Sequence, residues 1–143
     1  MTVTRPAAPK VNLELADDQM CFGCGNRNPR GLKLHFTIDP ERRSIRTRWT
    51  PTKEFQGYAD IVHGGMVGLV LDEMMVNLLW KLKLPAVTAE LTVRFLKPTR
   101  VGESIDCQAH VKSEQGKLFL MEGKAKNSDG GLVAAAFAKC VRV

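Results

Sequence analysis

A chain of 143 residues, 44% hydrophobic and 25% charged, holds one domain with a substantial core and excludes both a two-domain arrangement and bulk disorder. Its formal charge of +6 suits a polyanionic partner, but sign alone does not separate nucleic acid from a phosphate-rich small molecule, and a solvated basic face explains it equally well. Four cysteines, Cys21, Cys24, Cys107 and Cys140, point to reduced thiols, because a chain this large and apolar needs no disulfides to fold.

Residues 1–10 carry Arg5, Pro6, Pro9 and Lys10 without the continuous apolar run of a secretory signal, so a cytoplasmic protein is expected, with a flexible tail over 1–18 and a single domain over 19–143. Residues 21–31 are dense in Gly, Asn and Pro and read as loop. Leu32, Leu34, Phe36 and Ile38 then alternate with polar residues, as do Ile45, Thr47 and Trp49, which predicts two strands joined by a turn at 39–43. An irregular stretch over 51–62 delivers the chain to His63.

From His63 to Leu84 runs a mostly apolar segment without proline, read as one long buried helix. Asp72, Glu73, Asn77, Lys81 and Lys83 within it argue against a lipid environment. Beyond Pro85, Val87, Ala89, Leu91, Val93 and Phe95 alternate with polar residues, and Ile105, Cys107, Ala109 and Val111 continue as the next strand. Two further strands, over 118–127 and 132–143, are joined by a turn at 128–131. Successive strands with short connections and one helix predict an α+β fold built on an antiparallel sheet. The helix is apolar around nearly all its circumference, so a curved sheet is expected to wrap it and a second subunit to cover the rest.

Helical neighbours lie three and four residues apart. Glu73 forms a polar stripe with Asn77 and Lys81, which reads as a solvated or interfacial seam. Asp72 has only Gly68, Leu69, Met75 and Val76 around it, and needs a partner from elsewhere or a function, as acid-base groups in active sites do. The step His63-Gly64-Gly65 opens the helix, where free amides carry partial positive charge and glycines admit a substrate close to the backbone, a carbonyl-polarising arrangement. Cys21 and Cys24 have zinc-ligand spacing, but no second pair exists and His35, His63 and His110 show no ligand pattern, so no metal is expected and the pair is read as loop packing. Phosphate-binding loops, nucleophile elbows and nucleic-acid motifs are absent.

The runs Gln56-Gly57-Tyr58, Ile61-Val62-His63-Gly64-Gly65 and Leu71-Asp72-Glu73 together resemble the hotdog-fold acyl-CoA thioesterases of the phenylacetate-pathway (PaaI-like) branch. The similarity extends to Cys21-Phe22-Gly23-Cys24-Gly25, Asn28 and Gly31-Leu32 before the helix, and to Thr88-Ala89-Glu90-Leu91 and Phe95-Leu96-Lys97-Pro98 after it. It implies a hotdog fold, a curved antiparallel sheet of five to six strands wrapped around one long central helix. It further implies that Asp72 acts as base or nucleophile; Glu73, which its polar stripe already explains, is the second choice. By the same resemblance the Gly64 amide polarises the thioester carbonyl beside His63 and Gly65, Thr88 orients water or the carboxylate, and Gln56 lies near the thioester.

The reaction so implied is hydrolysis of a small or medium acyl-CoA at a site shared by two subunits of a homodimer or dimer of dimers. No cofactor is expected beyond the coenzyme A of the substrate, and neither a nucleic acid nor a membrane partner. Arg94, Lys97 and Arg100 are candidates for its phosphates. A hotdog module that binds thioesters without turnover, and a dehydratase of hydroxyacyl thioesters, are the alternatives.

Overall fold

The computed structural model describes residues 13–143, and the first part of the tail expected over 1–18 lies outside the described residues. Six strands and one long helix follow in order: β1 (Thr37–Asp39), β2 (Ser44–Trp49), a 3-10 turn (Lys53–Phe55), α1 (Gly64–Lys81), β3 (Ala86–Phe95), β4 (Ile105–Gln115), β5 (Leu118–Lys126) and β6 (Leu132–Arg142). All strand pairs are antiparallel and form one sheet in the order β1-β2-β4-β5-β6-β3. The class is α+β, and the sheet curves around α1, which touches every strand from β2 to β6. Among the described residues no helix is long and apolar enough to cross a membrane.

Small residues let the helix lie close on the sheet. Ala125, Ala134, Ala136 and Ala138 are buried, and a Cβ on Gly123 would come within 2.7 Å of the Met75 Cε. Val70, Leu71, Met74, Met75, Leu78 and Leu79 are fully covered by this contact, and burial of such side chains contributes about 1.5–3 kcal/mol each relative to exposure. The helix stops through its backbone. Lys83 takes φ of 62°, the Leu84 amide donates to the Leu79 carbonyl and the Lys83 amide to that of Trp80, a Schellman closure completed before Pro85. The expected helix end at Leu84 is therefore three residues too long.

The first strand also differs from expectation. Only Thr37–Asp39 pairs with β2. The Leu32 amide donates to the Phe22 carbonyl and that of Leu34 to the Gly23 carbonyl, so residues 32–36 bind the cysteine loop in place of the sheet. Thr47, buried on β2, donates from Oγ1 to the His35 carbonyl at 2.6 Å and holds this segment down. Thr47→Val leaves that carbonyl without its donor and is expected to cost about 1–2 kcal/mol, read as a Tm lower by roughly 3–6 °C in a thermal melt.

The third departure is a bulge. The β3–β6 register slips between Thr88 and Glu90, so the regular alternation expected from Val87 to Phe95 does not hold. Thr88 faces the helix, and so does Val93, which lies against Gly68. Five positions separate them, an odd number that a regular strand would send to opposite faces.

Candidate active site

Gly64, Gly68 and Asp72 recur every four residues on α1 and so share one helical face. That face runs antiparallel along β3. Phe95 packs over Gly64, where a Cβ would stand 3.3 Å from the ring, and Val93 stands beside Gly68. At the end of this seam the Thr88 hydroxyl donates to Asp72 Oδ1 at 2.6 Å. Asp72 thus has the partner that its own helix does not supply, and it is half-buried, contrary to the full burial expected from its apolar neighbours.

Cys140, directly across from Thr88 on β6, brings its sulfur to 3.9 Å from the same hydroxyl. Burial pushes the Cys140 thiol up, the Thr88 contact lowers it, and the charge of Asp72 raises it again. Sequence reasoning missed this cysteine, and the only available signal was its place in an alternating strand. Cys107 is a plain core thiol, pushed up to about 12 by burial above all, with a smaller contribution from the Asp106 charge.

At the opposite end of the seam His63 caps α1, its Nδ1 accepting from the Gly65 amide at 3.0 Å. The Gly65 amide is therefore occupied. Gly64, the first residue of the helix, has an amide with no acceptor among the described residues. It opens onto a cavity of about 310 Å³ lined by apolar residues such as Val62, Val67, Phe95 and Leu96, together with Lys97 and Thr99. His63 itself is exposed. Along the helix axis, Gly64 and Asp72 are separated by eight residues, about 12 Å of rise.

The remaining expected site residues are dispersed. Gln56 stands in the loop before the helix, pairs with Val62 in an isolated bridge, and spends its Oε1 on the Asp60 amide at 3.1 Å. Arg94 and Arg100 are exposed and do not line the Gly64 cavity, whereas Lys97 does. Glu73 is not part of a solvent-facing stripe. The loop of Cys21 to Cys24 covers it, with the Cys21 thiol donating to Glu73 Oε1 at 3.2 Å and Asn77 Nδ2 donating to the Cys24 sulfur at 3.5 Å. Of the expected stripe, only Lys81 is exposed.

If the Thr88 hydroxyl orients the Asp72 carboxylate for chemistry, its removal acts on turnover. For the thioester hydrolysis that the resemblance implies, Thr88→Ala is expected to lower kcat about ten- to a hundredfold, the worth of one hydrogen bond to a charged group, with Thr88→Ser restoring most of it. A steady-state assay of thiol release checks both.

A family model described as thioesterase superfamily matches residues 59–134, from the loop before α1 into β6. No curated protein matches the chain. Solved structures similar to it include a thioesterase superfamily protein at TM-score 0.80 and 23% identity, covering 94% of this chain and 69% of that one. A Ralstonia eutropha phenylacetic acid degradation-related protein is similar at TM-score 0.69 and 27% identity, with 77% and 85% covered. A Streptococcus pneumoniae hypothetical thioesterase, solved with coenzyme A, matches at TM-score 0.72 and 14% identity, with 77% and 85% covered.

Proposed function

We infer from one premise, that this chain belongs to the thioesterase superfamily, that it hydrolyses acyl-CoA thioesters to the free acid and coenzyme A. Its hotdog fold is that of the PaaI-like branch. The observation that carries the reading is the Asp72–Thr88 pair on the same helical face as a free amide at Gly64.

The chemistry follows from what each group offers. Thr88 occupies one carboxylate oxygen of Asp72 and leaves Oδ2 to take a proton from water, which attacks the thioester carbon. The Gly64 amide, at the positive end of the helix, donates to the carbonyl oxygen as it gains charge. Collapse of the tetrahedral intermediate breaks the carbon–sulfur bond and expels the coenzyme A thiolate, which takes up a proton. Direct attack by Asp72 on the carbonyl would give a mixed anhydride and the same products after hydrolysis. The apolar walls at Val62, Phe95 and Leu96 suit the acyl group. Lys97, with Arg94 and Arg100 nearby in the chain, suits the phosphates, and the Streptococcus pneumoniae relative holds coenzyme A itself.

Donor and base about 12 Å apart on one helix do not meet at a single carbon, so the site is completed by the partner in a homodimer. The edge of the sheet supports this. Among the described residues β3 is the last strand of the sheet, next to β6, and Leu91 and Phe95 on it and Leu96 just beyond it are exposed by 37, 54 and 48%, an apolar border of the kind that proteins cover or block.

Thiol release measured over short, long and aryl acyl-CoAs tests the function, and subunit mixing tests the shared site. Asp72→Asn and Gly64→Pro proteins, each inactive alone, are expected to regain roughly a quarter of wild-type activity when unfolded and refolded together, because half the dimers then contain one intact site. Absence of thiol release across the panel would overturn the hydrolase, and failure of the mixture would overturn the shared site.

A further inference from the structure

The paired cysteines of the sequence meet a third ligand in the fold. Sγ of Cys21, Sγ of Cys24 and a carboxylate oxygen of Glu73 all lie within 4.8 Å of one another. For tetrahedral zinc with two thiolates and one carboxylate, neighbouring ligand atoms stand about 3.6–3.8 Å apart. Small side-chain rotations therefore close the set on an ion.

The loop is shaped for this approach. A Cβ at Gly23 would lie 2.6 Å from Glu73 Cγ and 2.7 Å from its Cδ, and one at Gly25 would lie 2.5 Å from the Gln19 carbonyl oxygen and the Cys21 nitrogen. At Gly25 the close atoms are backbone and only glycine fits, and at Gly23 a side chain would displace Glu73 from the thiols. Backbone bonds from Gly25 to Cys21, from Leu32 to Phe22 and from Leu34 to Gly23 then hold the turn, and Asn28 Nδ2 donates to the Met20 carbonyl.

Two further observations point to a cation. The Asn77 amide donates to the Cys24 sulfur, the bond that metal-bound thiolates receive from their surroundings, while its own Oδ1 is buried with no partner among the described residues. Beside the cluster opens a cavity of about 400 Å³ whose charged lining among the described residues is Asp17, Asp18 and Glu73. In a chain of net charge +6 this is a locally acidic pocket.

We propose that Cys21, Cys24 and Glu73 form a zinc site that fastens the loop preceding the sheet to the central helix, with its fourth position open to the acidic cavity. Binding deprotonates both thiols and releases two protons to solvent, giving a site of two thiolates and one carboxylate around Zn2+. The ion ties the loop to the helix and takes no part in the hydrolysis assigned above: Glu73 follows Asp72 in sequence but points to the cysteine loop, whereas Asp72 meets Thr88 of β3. The proposal is independent of the reaction assigned above.

The test uses the full chain, reduced and stripped with chelator, then loaded with zinc and desalted. About one zinc per chain is expected by elemental analysis, with a Tm roughly 5–10 °C higher when free zinc exceeds Kd a hundredfold. Cobalt in place of zinc should show thiolate-to-metal charge-transfer absorption. Cys21→Ser/Cys24→Ser should lose the zinc, the absorption and the Tm response, Glu73→Gln should weaken zinc about tenfold or more, and Cys107→Ser/Cys140→Ser should keep all three. No zinc on the reduced wild-type chain, or equal zinc on the Cys21→Ser/Cys24→Ser chain, overturns the proposal. Should that double variant not fold, the cobalt spectrum of the wild type decides, since a spectrum without thiolate charge transfer overturns it equally.

Discussion

Asp72→Asn is expected to lower kcat for acyl-CoA hydrolysis by roughly two to four orders of magnitude, the range over which a positioned general base contributes. The substitution is nearly isosteric. The asparagine Oδ1 still accepts from Thr88, whose hydroxyl stands 2.6 Å from the present oxygen, so the seam between α1 and β3 keeps its contact. What disappears is the second oxygen's ability to take a proton. Tm and elution volume should therefore match the wild type, while KM changes little beside kcat. Thiol release at wild-type rates from a good substrate would remove Asp72 from the mechanism.

Gly64→Pro is the corresponding test of the donor, with an expected loss of about 10²–10³ in kcat, the worth of one oxyanion-stabilising hydrogen bond. Proline suits the first helical position, where its missing N–H breaks no backbone bond. The Gly64 amide has no acceptor among the described residues, and His63, at φ −58° and ψ 126°, lies outside the α region that a following proline disfavours. The added Cβ meets the Phe95 ring at 3.3 Å, and Phe95 is exposed enough to shift. Gly64→Ala supplies the control, for it adds the same Cβ and keeps the amide. Alanine should retain most activity and proline little. Equal losses in the two would assign the effect to crowding by Phe95 and withdraw the donor role.

The same geometry explains why the two ends of α1 have different tolerance. Asp72 lies where strand, helix and the neighbouring β6 converge, with Cys140 behind Thr88. Gly64 lies at the open end of the seam, under an exposed ring and beside the loop that carries Gln56. Substitutions near Asp72 therefore disturb packing more readily, and the serine and asparagine variants chosen there conserve volume for that reason.

Much of this was legible in the chain itself. The absence of proline between His63 and Leu84 and its apolar density mark the helix, the period-2 runs mark β2 and β4, and the turn at 128–131 marks the β5–β6 hairpin, because all three are local consequences of backbone geometry. Asp72 stands out for the same local reason, since every helical neighbour is apolar. The His-Gly-Gly step marks the helix start, where the structure finds His63 as cap and Gly64 as first residue.

What remained illegible depends on register and on contacts far apart in sequence. Thr88 reaches Asp72 only because β3 bulges between Thr88 and Glu90, and no periodicity announces a bulge. Residues 32–36 alternate as a strand should, yet the Leu32 and Leu34 amides bind the Phe22 and Gly23 carbonyls, since the loop competes successfully for backbone partners. Glu73 and Asn77 form a polar stripe on the isolated helix, and become the floor beneath Cys21 and Cys24 once the loop folds over them. By itself the sequence determined the helix, most strands and the singular position of Asp72, through spacings of two to four residues. Spacing did not reach the groups that meet Asp72 and Glu73: Thr88 beside the carboxylate came only from the resemblance, and the Cys21 thiol on Glu73 only from the tertiary structure, because pairings 16 and 52 residues apart are set by strand register and loop closure, and side-chain period carries no information about either.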